Sequence, residues 1–198
     1  DLSVGIHFNL TVGYPLNKDL KTIIKEDGSF NKKILTNTIP IDLDEIRKEL
    51  TTQFNTFIEL TGKLPAHINS HHCIEQIHGV GDIVMEFSHT YHIPVREFIV
   101  GEQDSEFEIP KLCFLSYPNN DVKDIIQWIQ EQDLEENDVV EILGHPGYVD
   151  YDLMKISSLT TGRCQDAHTF VCDEMKEYVS VNNAFVTSFE ALTKLRKK

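Results

Sequence analysis

Three histidines close short apolar or β-branched runs. They are His7 in Gly5-Ile6-His7-Phe8-Asn9-Leu10-Thr11, His71 in Ile68-Asn69-Ser70-His71-His72, and His145 in Glu141-Ile142-Leu143-Gly144-His145-Pro146-Gly147. Parallel α/β proteins build their sites at the carboxyl ends of strands. Imidazoles gathered there can bind a metal ion and move protons beside it. His145 has the best-specified setting, because Pro146 fixes φ and the flanking glycines permit conformations closed to other residues. His71 and His72 are adjacent, so in extended backbone they point to opposite faces and only one enters a given site. A structural strand histidine is the alternative reading for both His71 and His7. Gly5 and Thr11 suit a close approach of backbone near His7. Arg96, after Ile93-Pro94-Val95, can orient a carboxylate bidentately or form a surface salt bridge. His67, His78, His89, His92 and His168 lack such settings and read as surface or helix-face residues.

The elements that must position these residues alternate between strand and helix. Residues 3–10 read as a strand, and residues 12–40 as a long excursion with a turn at Asp27-Gly28. Residues 43–61 form the clearest helix, with Leu43, Ile46, Leu50, Phe54, Phe57 and Ile58 on one face, Asp42 as N-cap and Gly62 as stop. Strand 66–69 follows, then a helix over 77–91, a strand over 93–99 and a weaker strand at 112–115. Asp121 or Asn120 caps the next helix, strand 139–143 leads to His145, and a long helix covers 163–178. Strand 184–187 precedes a final helix from about 189. Crossovers of helical length argue for parallel strands wrapped by helices.

Composition sets limits on partners. The chain has 198 residues, 40% hydrophobic residues and 11 Phe, enough for one domain with a substantial core. Its formal net charge of -14 disfavours nucleic acid and anionic membranes. The basic cluster Lys194, Arg196, Lys197, Lys198 reads as a solvated last helical turn. No apolar stretch approaches the ~20 residues of a membrane span. No signal-peptide pattern opens the chain, and Asp1 leads directly into what reads as the body of a strand. None of the four cysteines, Cys73, Cys113, Cys164 and Cys172, forms a Cys-x-x-Cys pair. On one helix Cys164 and Cys172 would stand ~12 Å apart, too far for a disulfide. Reduced thiols and a cytoplasmic location are the expectation.

Taken together, these segments resemble the YdjC-like carbohydrate deacetylases, of which the chitooligosaccharide deacetylase is one type. Residues 5–16 match a Gly-x-His-x-x-Leu-Thr-x-Gly-x-Pro-Leu stretch, and residues 68–72 sit where the family has Asp-Ser-His-Gln-His. Ile93-Pro94-Val95-Arg96 matches the segment after the next helix. Residues 141–150 match Glu-x-x-x-His-Pro-Gly-Tyr-x-Asp, and Arg163 falls where the family places an arginine. The resemblance runs over essentially the whole chain, as a single domain over residues 1–198.

The resemblance implies a distorted (β/α) barrel related to the polysaccharide deacetylases. It implies metal-dependent removal of an N-acetyl group from an amino sugar or oligosaccharide. His7 and His71 would be metal ligands, His145 the proton donor or an orienting residue, and Arg96 the support of the catalytic carboxylate. Tyr148, Asp150 and Arg163 would face the substrate. The ion would be magnesium by resemblance, whereas imidazole ligands suit zinc. A cytoplasmic homodimer is implied.

Three departures stand out. The family's opening strand carries an Asp-Asp pair, one ligand and one base. None precedes His7, so the N-terminal strand is expected to be missing from these residues. Asp104/Glu106 and Glu135-Glu136 are poor substitutes. Asn69 replaces an Asp, which removes charge expected behind His71. Cys73 stands where the family often has His, followed by Glu75. A homologue that binds carbohydrate without cleaving it is the second reading. A barrel phosphoesterase is a third, disfavoured by the charge and by the lack of a phosphate-cradling Gly-rich loop.

Overall fold

Two parallel strand pairs, each joined by connections far too long for a hairpin, carry the fold. The computed structural model describes residues 2–96, 112–115, 121–136 and 138–192, with backbone alone over 112–115. It divides into two compact units, Asp1–Ile109 with Ser188–Lys198, and Pro110–Thr187. No helix among the described residues is long and apolar enough to cross a membrane.

In the first unit, β1 (Ile6–Phe8) and β2 (Ile68–Ser70) run parallel, with His7 beside Asn69 and Phe8 beside Ser70. On the other edge of β2, Ile68 N donates to Pro94 O at 2.9 Å and Arg96 N to Ile68 O at 3.1 Å. Val95 is thus a third parallel partner. The rest of the strand expected over 93–99, residues 97–99, lies outside the described residues. Side chains alternate along a strand, so Ile6, Phe8 and Ile68 enter the core while His7 faces away.

Helix α1 (Leu43–Thr61) covers that core. Asp42 caps it by accepting from Asp44 N, and Gly62 ends it in the left-handed conformation at φ 71°. Its buried Ile46, Leu50 and Phe54 repeat at helical spacing. Helix α2 (Val80–Tyr91) begins later than the expected residue 77, because Ile74–Gln76 wind as a 3-10 turn and Gly79 adopts φ 81°. The Phe54 ring lies 5.2 Å from Phe87 and 4.5 Å from Tyr91, and Phe8 lies 5.3 Å from Phe87. The excursion over 12–40 turns at Asp27-Gly28 as expected. Asp27 accepts from Ser29 N and Oγ, and Ile24 bridges Phe30. α7 (Phe189–Leu192) is the described part of the final helix, and the basic residues 194–198 lie outside the described residues.

In the second unit, β3 (Leu112–Leu115) and β4 (Val140–Leu143) pair in parallel. α3 (Val122–Gln130) opens with a capping box between Asp121 and Asp124. A short helix that the sequence did not signal, α4 (Tyr151–Ile156), follows.

The single helix expected over 163–178 is two, α5 (Thr161–Thr169) and α6 (Asp173–Val181). The Thr169-Phe170-Val171-Cys172 run has poor helix propensity. Cys172 is extended, and Asp173 and Glu174 give α6 its own acidic first turn. The helical spacing expected between Cys164 and Cys172 therefore does not hold, although both, like Cys73, are free thiols. Residues 184–187 form no strand. Phe185 and Val186 are 85% and 89% exposed, so their β propensity has no described neighbour to pair with.

Candidate functional site

Parallel register puts His7 and Asn69 side by side on the face away from the core. His7 Nδ1 lies 2.6 Å from Asn69 Oδ1. One residue beyond β2, His71 N donates to Phe8 O at 2.7 Å, which extends the ladder and holds the His71 ring beside His7. The two rings meet edge to face, with centroids 5.4 Å apart, and His7 Nε2 is 3.3 Å from His71 Nδ1. The backbone then turns sharply through His72 at φ 60° and Cys73 at φ 51°. Left-handed backbone costs non-glycine residues roughly 1–2 kcal/mol each. It returns His72 to the same side, with its ring 4.0 Å from that of His71 and its Nδ1 2.9 Å from Thr11 Oγ1. The opposite-face expectation for His71 and His72 fails here because His72 lies in left-handed, not extended, backbone. His7 and His72 are exposed and His71 is half-buried, so the cluster is open to solvent.

Behind it sits His67, which the sequence left among the surface histidines. Asn69 Nδ2 lies 3.2 Å from His67 Nε2, and the His67 ring stacks on Phe189 at 4.4 Å. Burial, then the Arg96 and His7 charges, push His67 down to about 4. A Cβ on Gly5 would come within 2.3 Å of that ring, so this glycine is required by the close approach. The period-two run His67, Asn69, His71 was the available signal, since alternate strand residues share a face. Asn69 therefore supports His7, not His71 as expected. Burial, then Lys32 and His7, lowers the His72 pKa, while burial, then Glu75, raises that of Cys73.

The donor set can be compared with a divalent ion. Two nitrogens on one ion, each at ~2.1 Å, stand roughly 3.0–3.4 Å apart. The facing nitrogens of His7 and His71 fit two such positions. Among the described residues no group of three or more His, Cys, Asp or Glu is arranged to hold a metal. Asp104 and Glu106 lie outside the described residues, and Glu135 and Glu136 belong to the second unit.

In the second unit, β4 delivers His145 onto a turn that α5 holds from behind. His145 N donates to Asp166 Oδ2 at 2.7 Å, and Gly147 N donates to Arg163 O at 3.1 Å. Gly144 lies against Phe170, whose ring a Cβ there would meet at 2.5 Å. Arg163 donates through Nε to Leu159 O at 3.0 Å. Asp150 caps α4 by accepting from Leu153 N, and Tyr148 is 93% exposed. Buried Asp166 was not singled out from sequence, although its spacing from Arg163 puts both on one side of α5.

The family model described as "YdjC-like protein" matches residues 1–180. A carbohydrate deacetylase of Clostridium beijerinckii is 31% identical over 194 residues, covering 96% of this chain and 78% of that protein. Carbohydrate deacetylase 1 of Listeria innocua is 27% identical with the same coverage. The crystal structure of a candidate cellobiose-phosphate cleavage protein from Enterococcus faecalis superposes with a TM-score of 0.83. At 22% identity over 96% of this chain and 78% of that one, it speaks for the fold alone.

Proposed function

Because this chain belongs to the YdjC-like family, we propose that it is a carbohydrate deacetylase, which hydrolyses the N-acetyl group of an amino sugar or oligosaccharide. The observation that carries the reading is the pair of facing imidazoles, His7 Nε2 and His71 Nδ1, at 3.3 Å on adjacent parallel strand ends. His7 and His71 would hold a divalent ion, magnesium by family resemblance or zinc by donor chemistry. Such an ion, when bound, supplies Lewis acidity and a water that ionises near neutral pH. The protein's own part is positional. Asn69 Oδ1 would accept a hydrogen bond from His7 Nδ1–H, which leaves the Nε2 lone pair for the ion.

Amide hydrolysis also needs a proton on the leaving nitrogen, and His145 has the residue type for that step. Its turn is held by Asp166 and by the Arg163 carbonyl, which supports a fixed donor. Arg96 is the proposed support for the catalytic carboxylate. Tyr148, with its exposed ring, Asp150 and Arg163 are the proposed substrate residues. The distorted (β/α) barrel is supported by parallel pairing in both units. A single domain is supported by a family match that spans both units. A cytoplasmic homodimer remains the proposed setting.

Metal analysis combined with acetate release from N-acetylglucosamine oligosaccharides tests this reading. Bound metal and released acetate are expected, and the absence of both on every acetylated sugar would sink it. One observation favours carbohydrate binding without hydrolysis: the ligand set among the described residues stops at two imidazoles. Retention of intact acetylated sugar with no acetate release selects that alternative.

A further inference from the structure

An asparagine behind a ligating histidine poses a problem that a carboxylate does not. A carboxylate only accepts, so it fixes the imidazole proton on the nitrogen facing it. An amide presents an oxygen on one side and an NH2 on the other, so its rotation decides which His7 nitrogen keeps a lone pair. We infer that His67 is a positioning residue that sets this rotation: its Nε2 engages the Asn69 NH2, turns the amide oxygen to His7 Nδ1, and so leaves His7 Nε2 free to bind.

The distances separate the two rotations. His7 Nδ1 is 2.6 Å from the Asn69 atom that faces it, at the short end for an oxygen acceptor and too close for an NH2. The opposite side of the amide lies 3.2 Å from His67 Nε2, suited to an N–H donating to a ring nitrogen. His67 is held for this task from three directions. Gly5 makes room for its ring, Phe189 stacks on it at 24°, and the His67 carbonyl, just before β2, accepts from Ile6 N at 2.9 Å, two residues ahead of Asn69. The ring's cost is visible in its Nδ1, which is buried without a hydrogen-bond partner among the described residues. A packing histidine gains nothing from that burial, and phenylalanine would fill the same seat at lower cost.

The metal consequence rests on the proposed function, whereas the tautomer does not. In the metal-free wild-type chain, nitrogen-15 NMR of the histidine side chains should show His7 protonated at Nδ1. Protonation at Nε2 would overturn the inference without any variant. In His67→Phe, which keeps the stacked ring, the Nε2-protonated form of His7 should appear. An unchanged tautomer would overturn the inference. Calorimetric titration with Zn2+ then reads the consequence. His67→Phe should weaken Zn2+ binding roughly tenfold or more. In an Asn69→Asp background it should change affinity less than twofold, since a carboxylate needs nothing to orient it. Equal losses in both backgrounds would make His67 merely structural. A wild-type chain that binds no Zn2+ would defeat the metal reading, and the NMR result would still decide the role of His67.

Discussion

His67 shows how one side chain links stability to pH at this site. Its pKa falls from the ordinary 6.5 to about 4 because burial penalises the charged ring. The unfolded chain therefore binds more protons than the folded one between those values. Stability is fully present above about pH 6.5 and is lost as pH falls toward about 4. From pH 7 to pH 5 the loss from this group is about 2 kcal/mol. Urea unfolding at the two pH values should show that difference in the wild type, and much less of it in His67→Phe. A slope of equal size in both would place the pH dependence elsewhere. His72 contributes in the same direction, since its pKa is also lowered.

At the scale of elements, α1 and α5 each hold a chemically important segment by a buried carboxylate. Glu49 on α1 is fully buried and accepts from Leu16 N, Asn17 N, Asn17 Nδ2 and Gln53 Nε2. Gln53 in turn donates to Asn9 O and accepts from Asn9 N, next to β1. Glu49→Ala leaves those donors unpaired and should cost about 3 kcal/mol in denaturant unfolding, with Glu49→Gln milder. On α5, Asp166 fixes the backbone of His145. If His145 donates the proton, Asp166→Ala should lower kcat tenfold or more, and Asp166→Asn, which keeps an acceptor, only a few-fold. Steady-state kinetics on an acetylated oligosaccharide checks both. Equal effects from Ala and Asn would remove the positioning role. The α1 contacts were legible in part: its span, caps and apolar face follow from spacing alone. The break between α5 and α6 was missed because the helical period runs on through the weak Thr169–Cys172 stretch, while the packing of Phe170 on Gly144 joins residues distant in sequence and was not legible at all.

For the whole molecule, an ion held by His7 and His71 would tie β1 to β2 across a long stretch of sequence. A ligand that binds only the folded chain stabilises it by about 2.7 kcal/mol at a hundred times its Kd. Adding Zn2+ or Mg2+ at that excess should raise Tm by roughly 5–10 °C for a chain of this size. His7→Ala should abolish the rise while leaving the metal-free Tm close to that of wild type, because His7 is exposed and faces away from the core. A rise that persists in His7→Ala would place the ion elsewhere. Chelation of the wild type should reverse the shift.

The sequence by itself determined the parallel α/β class, the strand ends that carry His7, His71 and His145, and the family resemblance. These follow from local pattern: periodicity, capping residues and motif order. The structure alone decided what stands next to what. The parallel register set Asn69 behind His7, the left-handed turn at His72 and Cys73 brought a third imidazole to the same side, and Gly5 admitted His67. It also removed the strand expected at 184–187, since propensity makes a strand only where a neighbour pairs with it. Apart from the His67–Asn69 contact, the hydrogen-bond partners of His7, His71 and His72 are distant in sequence, and only the folded chain specifies them.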